Sequence, residues 1–178
     1  MRKRSILSVV VGGLMAAMLP GAAVAHTEHD VALTYSLNPQ CEFGQGSTMP
    51  PCEVDENGPV ITIIASNPQS LSGAFDGIAV LNAVWVGDQG AGTFEATGTA
   101  FFAGEVDGCG PGTVNFDYTS AGTINADGTN TFDHDTYIIV PGGSLAVTGG
   151  YEQTGEEVPN GDGTATIPYT AEYSCDGA

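Results

Sequence analysis

The sequence predicts an all-β domain, an antiparallel up-and-down β-barrel of about eight strands, with a β-sandwich as the alternative. From residue 71 onward, segments of about 8–12 residues rich in Thr, Val, Ile, Phe and Tyr alternate with glycine-containing turns. No stretch shows the sustained apolar period of 3.6 residues that an amphipathic helix needs. The chain also holds 26 Gly and 10 Pro, two residue types that disfavour long helices.

The N-terminus has the three parts of a secretory signal peptide. Residues 2–4 are basic, residues 6–19 are mostly apolar, and Ala-Val-Ala at 23–25 supplies the small residues that signal peptidase reads. The apolar run is short for a membrane span of about 20 residues, so an uncleaved anchor is the weaker interpretation. We therefore predict a secreted or extracytoplasmic protein whose mature chain begins at His26.

A tail, a strand and a long loop are predicted next. Residues 26–30 read as a flexible tail, and residues 31–36 alternate well enough to begin a single β domain that extends to residue 178. Residues 38–58 are rich in Pro, Gly, Asn and acids, which predicts a loop. The β-branched run VITIIAS at 60–66 predicts a buried strand. Further strands are predicted over residues 71–75, 77–86, 92–102, 113–124, 129–140, 144–153 and 163–173.

The segments between these strands have the composition of tight turns. They include Gly-Asp-Gln-Gly at 87–90, Asp-Gly at 107–108, Asn-Ala-Asp-Gly at 125–128 and Asn-Gly-Asp-Gly at 160–163. Asn-Gly and Asp-Gly steps readily adopt the positive φ angles that short hairpin turns require. Consecutive strands are therefore expected to be antiparallel neighbours.

Four cysteines are present, and an even number in an exported chain predicts two disulfides. Three pairings are possible. We favour Cys41 with Cys52, which would pin the N-terminal loop, and Cys109 with Cys175, a long-range link near the C-terminus. The spacings differ from those of CxxC zinc sites, which makes a metal role the weaker interpretation.

The charge distribution excludes several classes of partner. The three Lys and Arg residues all lie in the predicted signal peptide, whereas all 21 Asp and Glu lie after it, so the mature chain carries a formal charge of −21 with His neutral. Binding to nucleic acid requires basic residues against phosphate, and adsorption to anionic lipid is disfavoured for the same reason. We therefore expect no nucleic-acid partner and no membrane association after signal cleavage. Cations or a cationic protein are the partners that such a charge favours.

Three segments resemble a known family. They are LSGAFDGIAVLNAVWV at 71–86, GTFEATGTAFFAGEVDGCGPGTVNFDY at 92–118 and TYIIVPGGSLAVTGGYEQTG at 136–155. The chain resembles small bacterial domains of the allene-oxide-cyclase-like barrel superfamily. The positions that carry the resemblance are Ser72, Gly73, Gly77, Gly98, Phe102, Gly104, Gly108, Gly112, Thr113, Val140, Pro141, Gly142, Gly143, Leu145 and Gly149.

The resemblance covers about half of the mature chain and implies an eight-stranded barrel whose interior can hold a small apolar ligand. Plant enzymes of that superfamily guide the cyclisation of a fatty-acid epoxide. No position of this chain matches a catalytic residue of the family. The missing Lys and Arg also disfavour a fatty-acid carboxylate as substrate.

Metal binding is predicted most specifically at the mature N-terminus. The α-amino group and imidazole of His26 could chelate one copper ion, and His29 lies three residues further on. The alternative is that His26 stands there only because cleavage exposes it. The acidic turns at 55–58 and 160–163 offer oxygen ligands for calcium, but neither has the spacing of a calcium loop.

Candidate catalytic residues are few. On a regular strand, Asp133 and Asp135 would share one face and His134 would take the other, which is typical of an exposed strand rather than a Ser-His-Asp triad. Glu156 and Glu157 could act as acid or base only if burial raised a pKa, and their loop is predicted to be exposed.

The large aromatic residues predict either core packing or a ligand cavity. Trp85, Phe94, Phe101 and Phe102 are the candidates, and the two adjacent Phe residues should point to opposite faces of one strand. The leading functional hypothesis is a non-enzymatic barrel that binds a small apolar ligand, a cation or a partner protein. The alternatives are a cyclase- or isomerase-like enzyme that acts inside the barrel, and a copper protein that uses His26.

Overall fold

The structure, a computed structural model, describes residues 28–36, 53–126 and 130–175. These residues form ten β-strands and contain no helix. The strands are β1 (His29–Ser36), β2 (Glu53–Asn57), β3 (Val60–Gly73), β4 (Phe75–Asp88), β5 (Thr93–Val106), β6 (Gly110–Ile124), β7 (Asn130–Val140), β8 (Val147–Gln153), β9 (Val158–Pro159) and β10 (Thr164–Cys175). Within the described ranges, no helix is long and apolar enough to cross a membrane.

Eight of these strands close an antiparallel barrel. Around the barrel they follow the order β1, β10, β8, β7, β6, β5, β4 and β3, and β3 pairs back with β1. Strand β2 pairs with the first part of β3, which β1 does not cover. The short β9 pairs with β10. The predicted antiparallel barrel is confirmed, and the sandwich alternative is not adopted.

The two-residue period of the strands separates the interior from the surface. In β5, Phe94, Ala96 and Phe102 are buried, whereas Glu95 and Phe101 between them are exposed. Because apolar side chains lie on one face of each strand, closing the sheet buries them in a single core. Phe101 is 49% exposed on the outer face and Phe102 is fully buried, as expected of neighbours on one strand.

One end of the barrel, which we call the packed end, is filled with apolar side chains. Phe75 is fully buried, and its ring centroid lies 5.4–5.8 Å from the centroids of four other rings. These rings belong to Phe102, Phe116, Tyr151 and Tyr173. Edge-to-face pairs of this kind add stabilisation beyond their buried area.

A disulfide between Cys109 and Cys175 closes the packed end. Cys109 lies in the turn after β5 and Cys175 is the last residue of β10, with Cα atoms 5.4 Å apart and a sequence separation of 66. The predicted long-range pairing is confirmed. Cys41 and Cys52 lie outside the described residues, so their pairing stays a prediction.

Close backbone approach explains two of the glycines. Gly77 and Gly104 face each other across β4 and β5, and a Cβ placed on Gly104 would lie 2.8 Å from the Gly77 Cα. Real side chains do not tolerate that distance, so these positions need glycine. Both belong to the set that carries the family resemblance.

Three element predictions were wrong. Strand β1 begins at His29 rather than residue 31, so the last residues of the predicted tail belong to the barrel. Residues 53–57 form β2 rather than a loop, because they pair with the part of β3 that β1 does not cover. Residues 60–66 and 71–73 belong to one continuous strand, β3, that ends at Gly73 with a φ of 100°.

Candidate functional site

The other end of the barrel, which we call the open end, contains a cavity of about 140 Å³. Tyr35, Asn130 and Phe132 line both this cavity and a wider surface depression of about 910 Å³ at the barrel mouth. The depression, which we call the vestibule, includes exposed residues such as Thr131 and Glu156. The cavity therefore opens to solvent through the vestibule.

The upper wall of the cavity is aromatic. Trp85 stacks on Phe94 with ring centroids 5.9 Å apart, and Phe94 meets Phe132 edge-on at 5.5 Å. Leu33, Leu81 and Ile167 complete the apolar part of the lining. The inner faces of β4, β5 and β7 position the three rings, because all three occupy inward-facing positions. This wall can accept a flat apolar group.

The cavity floor is polar, and Asp135 is its ionisable centre. The side chain of Asp135 is 3% exposed, and its Oδ1 atom has no hydrogen-bond partner among the described residues. The Tyr118 hydroxyl lies at a long 3.5 Å from Oδ2. Burial raises the pKa of Asp135 to about 7, and hydrogen bonds from the Tyr169 and Tyr118 hydroxyls offset part of that rise. Asp135 can therefore change its charge near neutral pH.

A β-bulge at Asp133 brings Phe132, rather than Asp133, to the inner face beside Asp135. In the pairing of β6 with β7, Ala121 lies opposite His134 and Gly122 lies opposite Phe132, so Asp133 is an extra residue on β7. The bulge breaks the alternation, leaving Asp133 and His134 exposed while Asp135 is buried. The expectation that Asp133 and Asp135 share one face is therefore wrong.

Neutral hydrogen-bonding groups surround Asp135. Gln69 donates to the Tyr137 hydroxyl at 3.1 Å, and both side chains are buried. Asn67 Oδ1 and the Tyr151 hydroxyl are buried, and neither has a hydrogen-bond partner in the part of the chain that the structure describes. Burial raises the pKa of the Tyr118, Tyr137 and Tyr151 phenols well above their ordinary value, so these hydroxyls are neutral donors and acceptors.

A hydrogen bond fastens the loop at the mouth. The Tyr35 hydroxyl donates to Glu157 Oε2 at 2.5 Å and joins β1 to the segment between β8 and β9. Burial, followed by the contact with Glu157, raises the pKa of Tyr35 far above its ordinary value. The loop prediction holds for Glu156, which is exposed, but Glu157 is half-buried at the vestibule wall.

Within the described ranges, no catalytic triad forms at His134. The imidazole belongs to an exposed residue of the vestibule, and the nearby Ser120 donates its hydroxyl to the backbone carbonyl of His134 at 3.2 Å. Ser120 is thus a structural partner of the bulge rather than a nucleophile paired with an imidazole.

The predicted cavity residues fall into two groups. Trp85 and Phe94 line the cavity at the open end. Phe102 lies in the packed end against Phe75, and Phe101 lies on the outer surface, so neither contributes to the cavity.

The predicted metal residues do not gather around an ion site in the described part of the chain. His29 lies on β1 with its ring 4.9 Å from the Tyr173 ring, at the packed end. Among the described residues, no group of three or more His, Cys, Asp or Glu could hold a metal ion. Asp162 Oδ1 accepts hydrogen bonds from the Thr164 amide and hydroxyl, as in an ordinary turn. His26 lies outside the described residues, and copper binding there stays a prediction.

The sequence interpretation missed most of the polar floor. Tyr118 could have been found from alternation, because it follows the inward-facing Val114 and Phe116 at two-residue intervals. Asp135 could also have been found in this way, because it precedes the inward-facing Tyr137 by two residues. Phe132 could not, because its inward direction depends on the bulge. Comparison of the chain with models of protein families, with curated proteins and with solved structures found no match.

Proposed function

We propose that this protein is an exported binding protein that holds one small, mainly apolar molecule with a polar end in the open end of its barrel. The observation that carries the proposal is the solvent-connected cavity of about 140 Å³, with aromatic walls and a buried polar floor. Pockets with apolar walls and a few convergent polar groups are the usual form of small-molecule sites.

The volume of the cavity limits the size of the ligand. A cavity of about 150 Å³ in another protein is large enough for benzene. The inner part of a ligand is therefore a ring or a short branched chain. Any longer substituent would extend past Tyr35 and Phe132 into the vestibule.

The unpartnered polar atoms support a ligand with hydrogen-bond donors. Asn67 and Asp135 both line the cavity, and each has one buried oxygen without a partner among the described residues. Leaving such an atom without a hydrogen bond costs about 1–3 kcal/mol. A ligand hydroxyl or amino group that donates to either oxygen would recover part of that cost.

Benzyl alcohol is a suitable probe because it combines a ring with one donor. The chain contains a single Trp, and this residue, Trp85, stacks on Phe94 in the cavity wall. We expect titration of the mature chain with benzyl alcohol to change the Trp85 fluorescence with saturation at one equivalent.

Two substitutions on β4 provide a matched control. Leu81→Phe would fill the cavity and weaken benzyl alcohol binding at least about tenfold, because the new ring takes the ligand's space. Val84→Phe adds the same ring on the outer face, where Val84 is 38% exposed, and should leave binding unchanged. Equal loss in both variants, or no saturable signal in the unsubstituted chain, would contradict the proposal.

A second candidate function is acid–base catalysis inside the barrel, as expected of a cyclase- or isomerase-like enzyme. The observation that favours it is Asp135, a buried carboxyl with a pKa raised to about 7 in a ligand-sized cavity. A nitrobenzisoxazole tests for such a base. The carboxylate removes the ring C–H proton, the N–O bond breaks and a coloured cyanophenolate forms.

For an enzyme, we expect this rate to rise as pH increases through about 7 and to be lost in Asp135→Asn. Asp117→Asn, which removes an exposed carboxylate from the outer face of β6, is the matched control. A rate in the unsubstituted chain no greater than that in Asp135→Asn would leave binding alone as the function.

A further inference from the structure

Among the residues that the structure describes, no cationic side chain faces Asp135. The titratable side chains that interact with it come from five strands and are all neutral phenols, namely Tyr35 of β1, Tyr118 of β6, Tyr137 of β7, Tyr151 of β8 and Tyr169 of β10. The described residues include no Lys or Arg, because all three in the sequence lie at positions 2–4. His134 is exposed on the bulge and His29 lies at the packed end.

We propose that the ligand of this cavity is a small protonated amine, whose ammonium group occupies the floor and pairs with the Asp135 carboxylate. This inference rests on the proposed binding function and specifies its ligand class. A buried carboxylate without a counter-charge is costly, and a ligand cation would supply the charge that the fold omits.

The floor offers the acceptors that an ammonium group requires. An ammonium carries three N–H donors and no acceptor. Asp135 Oδ1 and Asn67 Oδ1 are buried oxygens of cavity-lining residues without partners among the described residues, and Tyr118 and Tyr169 line the cavity with them. A carboxylate ligand would instead face these oxygens and Asp135 without any cationic group to bind it.

The cavity wall suits the rest of such a ligand. The rings of Trp85, Phe94 and Phe132 form a continuous aromatic surface above the floor. A ring or branched alkyl group attached to the amine can pack on this surface, and the electron-rich ring faces also attract a cation. The formal charge of −21 on the mature chain favours the approach of cations and disfavours anions.

Protonation of Asp135 should make the affinity for an amine depend on pH. The amine pairs with the ionised carboxylate, and the pKa of Asp135 in the unoccupied cavity is about 7. Below that pH, binding must first release a proton. Amine affinity should therefore fall as pH decreases, by about 100-fold between pH 8 and pH 5.

The test compares benzylamine, benzyl alcohol and benzoate, three probes that share a ring and differ in charge. At pH 8 we expect the Trp85 fluorescence to report benzylamine binding at least about tenfold tighter than benzyl alcohol binding, with benzoate weakest. Asp135→Asn should remove the preference for the amine and retain benzyl alcohol binding. Asp117→Asn, which removes one negative charge from the outer face of β6, should retain the preference.

The outcomes separate the two proposals. If benzylamine and benzyl alcohol bind equally well, the amine inference is overturned while the binding function stands. If none of the three probes binds, the binding function fails and the inference fails with it. The pH series on the unsubstituted chain needs no variant, and an amine affinity that does not change between pH 5 and pH 8 overturns the pairing with Asp135.

Discussion

The two ends of the barrel differ in how closely their side chains pack and in whether their buried polar atoms have hydrogen-bond partners. At the packed end, Phe75, Phe102 and Phe116 are fully buried against one another, and a disulfide links the adjoining turn to the last strand. At the open end, the same strands surround a cavity with an ionisable group at its floor. One sheet therefore encloses a close-packed half and a half that contains a cavity and buried polar atoms without hydrogen-bond partners.

The difference shows where this fold obtains its stability. Voids and unpartnered polar atoms both cost free energy, so they persist only where the rest of the structure compensates for them. In the described residues, the buried side-chain atoms without partners include Asn67 Oδ1 and Asp135 Oδ1, both in the cavity lining. We infer that the packed end stabilises the barrel and thereby permits the proposed binding site at the other end.

The largest expected effect comes from removing a ring at the packed end. Phe75→Ala should lower the free energy of unfolding by about 3–5 kcal/mol, because Phe75 is fully buried among four other rings. Phe132→Ala at the half-buried cavity wall should cost roughly 1–2 kcal/mol, since less area leaves water there. Urea unfolding of both variants measures the contrast, and equal losses would mean that the ends do not differ in stability.

The second effect concerns the disulfide. Replacing Cys109 and Cys175 together by Ser should cost about 2–4 kcal/mol, because the bridge closes a long loop in the unfolded chain. Benzyl alcohol affinity, measured by the Trp85 fluorescence under conditions where the variant is folded, should not change. A large loss of affinity would show that the packed end shapes the cavity directly, which would break the division of roles.

The third effect uses the pH dependence of stability. The pKa of Asp135 is about 7 in the folded protein and about 4 when unfolded, so the folded state holds its proton more tightly. The contribution of protonated Asp135 to the stability of the folded protein is complete below pH 4 and is lost as pH rises to about 7. Between pH 5 and pH 8 the loss should be on the order of 2 kcal/mol.

Asp135→Asn isolates this contribution from that of the other carboxylates. The variant should lose less stability than the unsubstituted chain between pH 5 and pH 8, as measured by urea midpoints. Asp117→Asn, an exposed change in the same region, should keep the original pH dependence. Identical slopes in all three proteins would mean that Asp135 titrates normally.

Local patterns predicted the packed end better than the open end. The alternation of Val114 and Phe116 places both side chains on one face, and a core follows from the two-residue period alone. Barrel closure depends on the pairing of β1 with β10 and β3, whose partners are far away in sequence. Such registers are set by the assembled sheet, so a single strand's pattern cannot specify them.

The site was the harder prediction because it depends on exceptions to those patterns. Phe132 becomes a cavity-wall residue only because the bulge at Asp133 shifts the register of β7. Strand β2 was missed for a related reason, since its acidic sequence lacks apolar alternation and it forms against the uncovered part of β3. Functional sites commonly lie where local rules are broken.

The smallest expected effect tests whether the mouth is held by a single contact. Tyr35→Phe removes the hydrogen bond to Glu157 and should cost about 0.5–1.5 kcal/mol. Because this bond fastens the segment between β8 and β9, hydrogen exchange of amides 154–157 should accelerate, and benzyl alcohol should enter and leave the cavity faster.

Tyr173→Phe is the matched control, since it removes a 2.9 Å hydrogen bond to the Asp107 carbonyl at the packed end. That variant should leave both the exchange of amides 154–157 and the binding rates unchanged. If the two variants behave alike, the mouth does not depend on Tyr35, and other contacts of the segment hold it, such as the bonds from the Thr154 amide to the Pro168 carbonyl and from the Gln153 side chain to the Gly155 carbonyl.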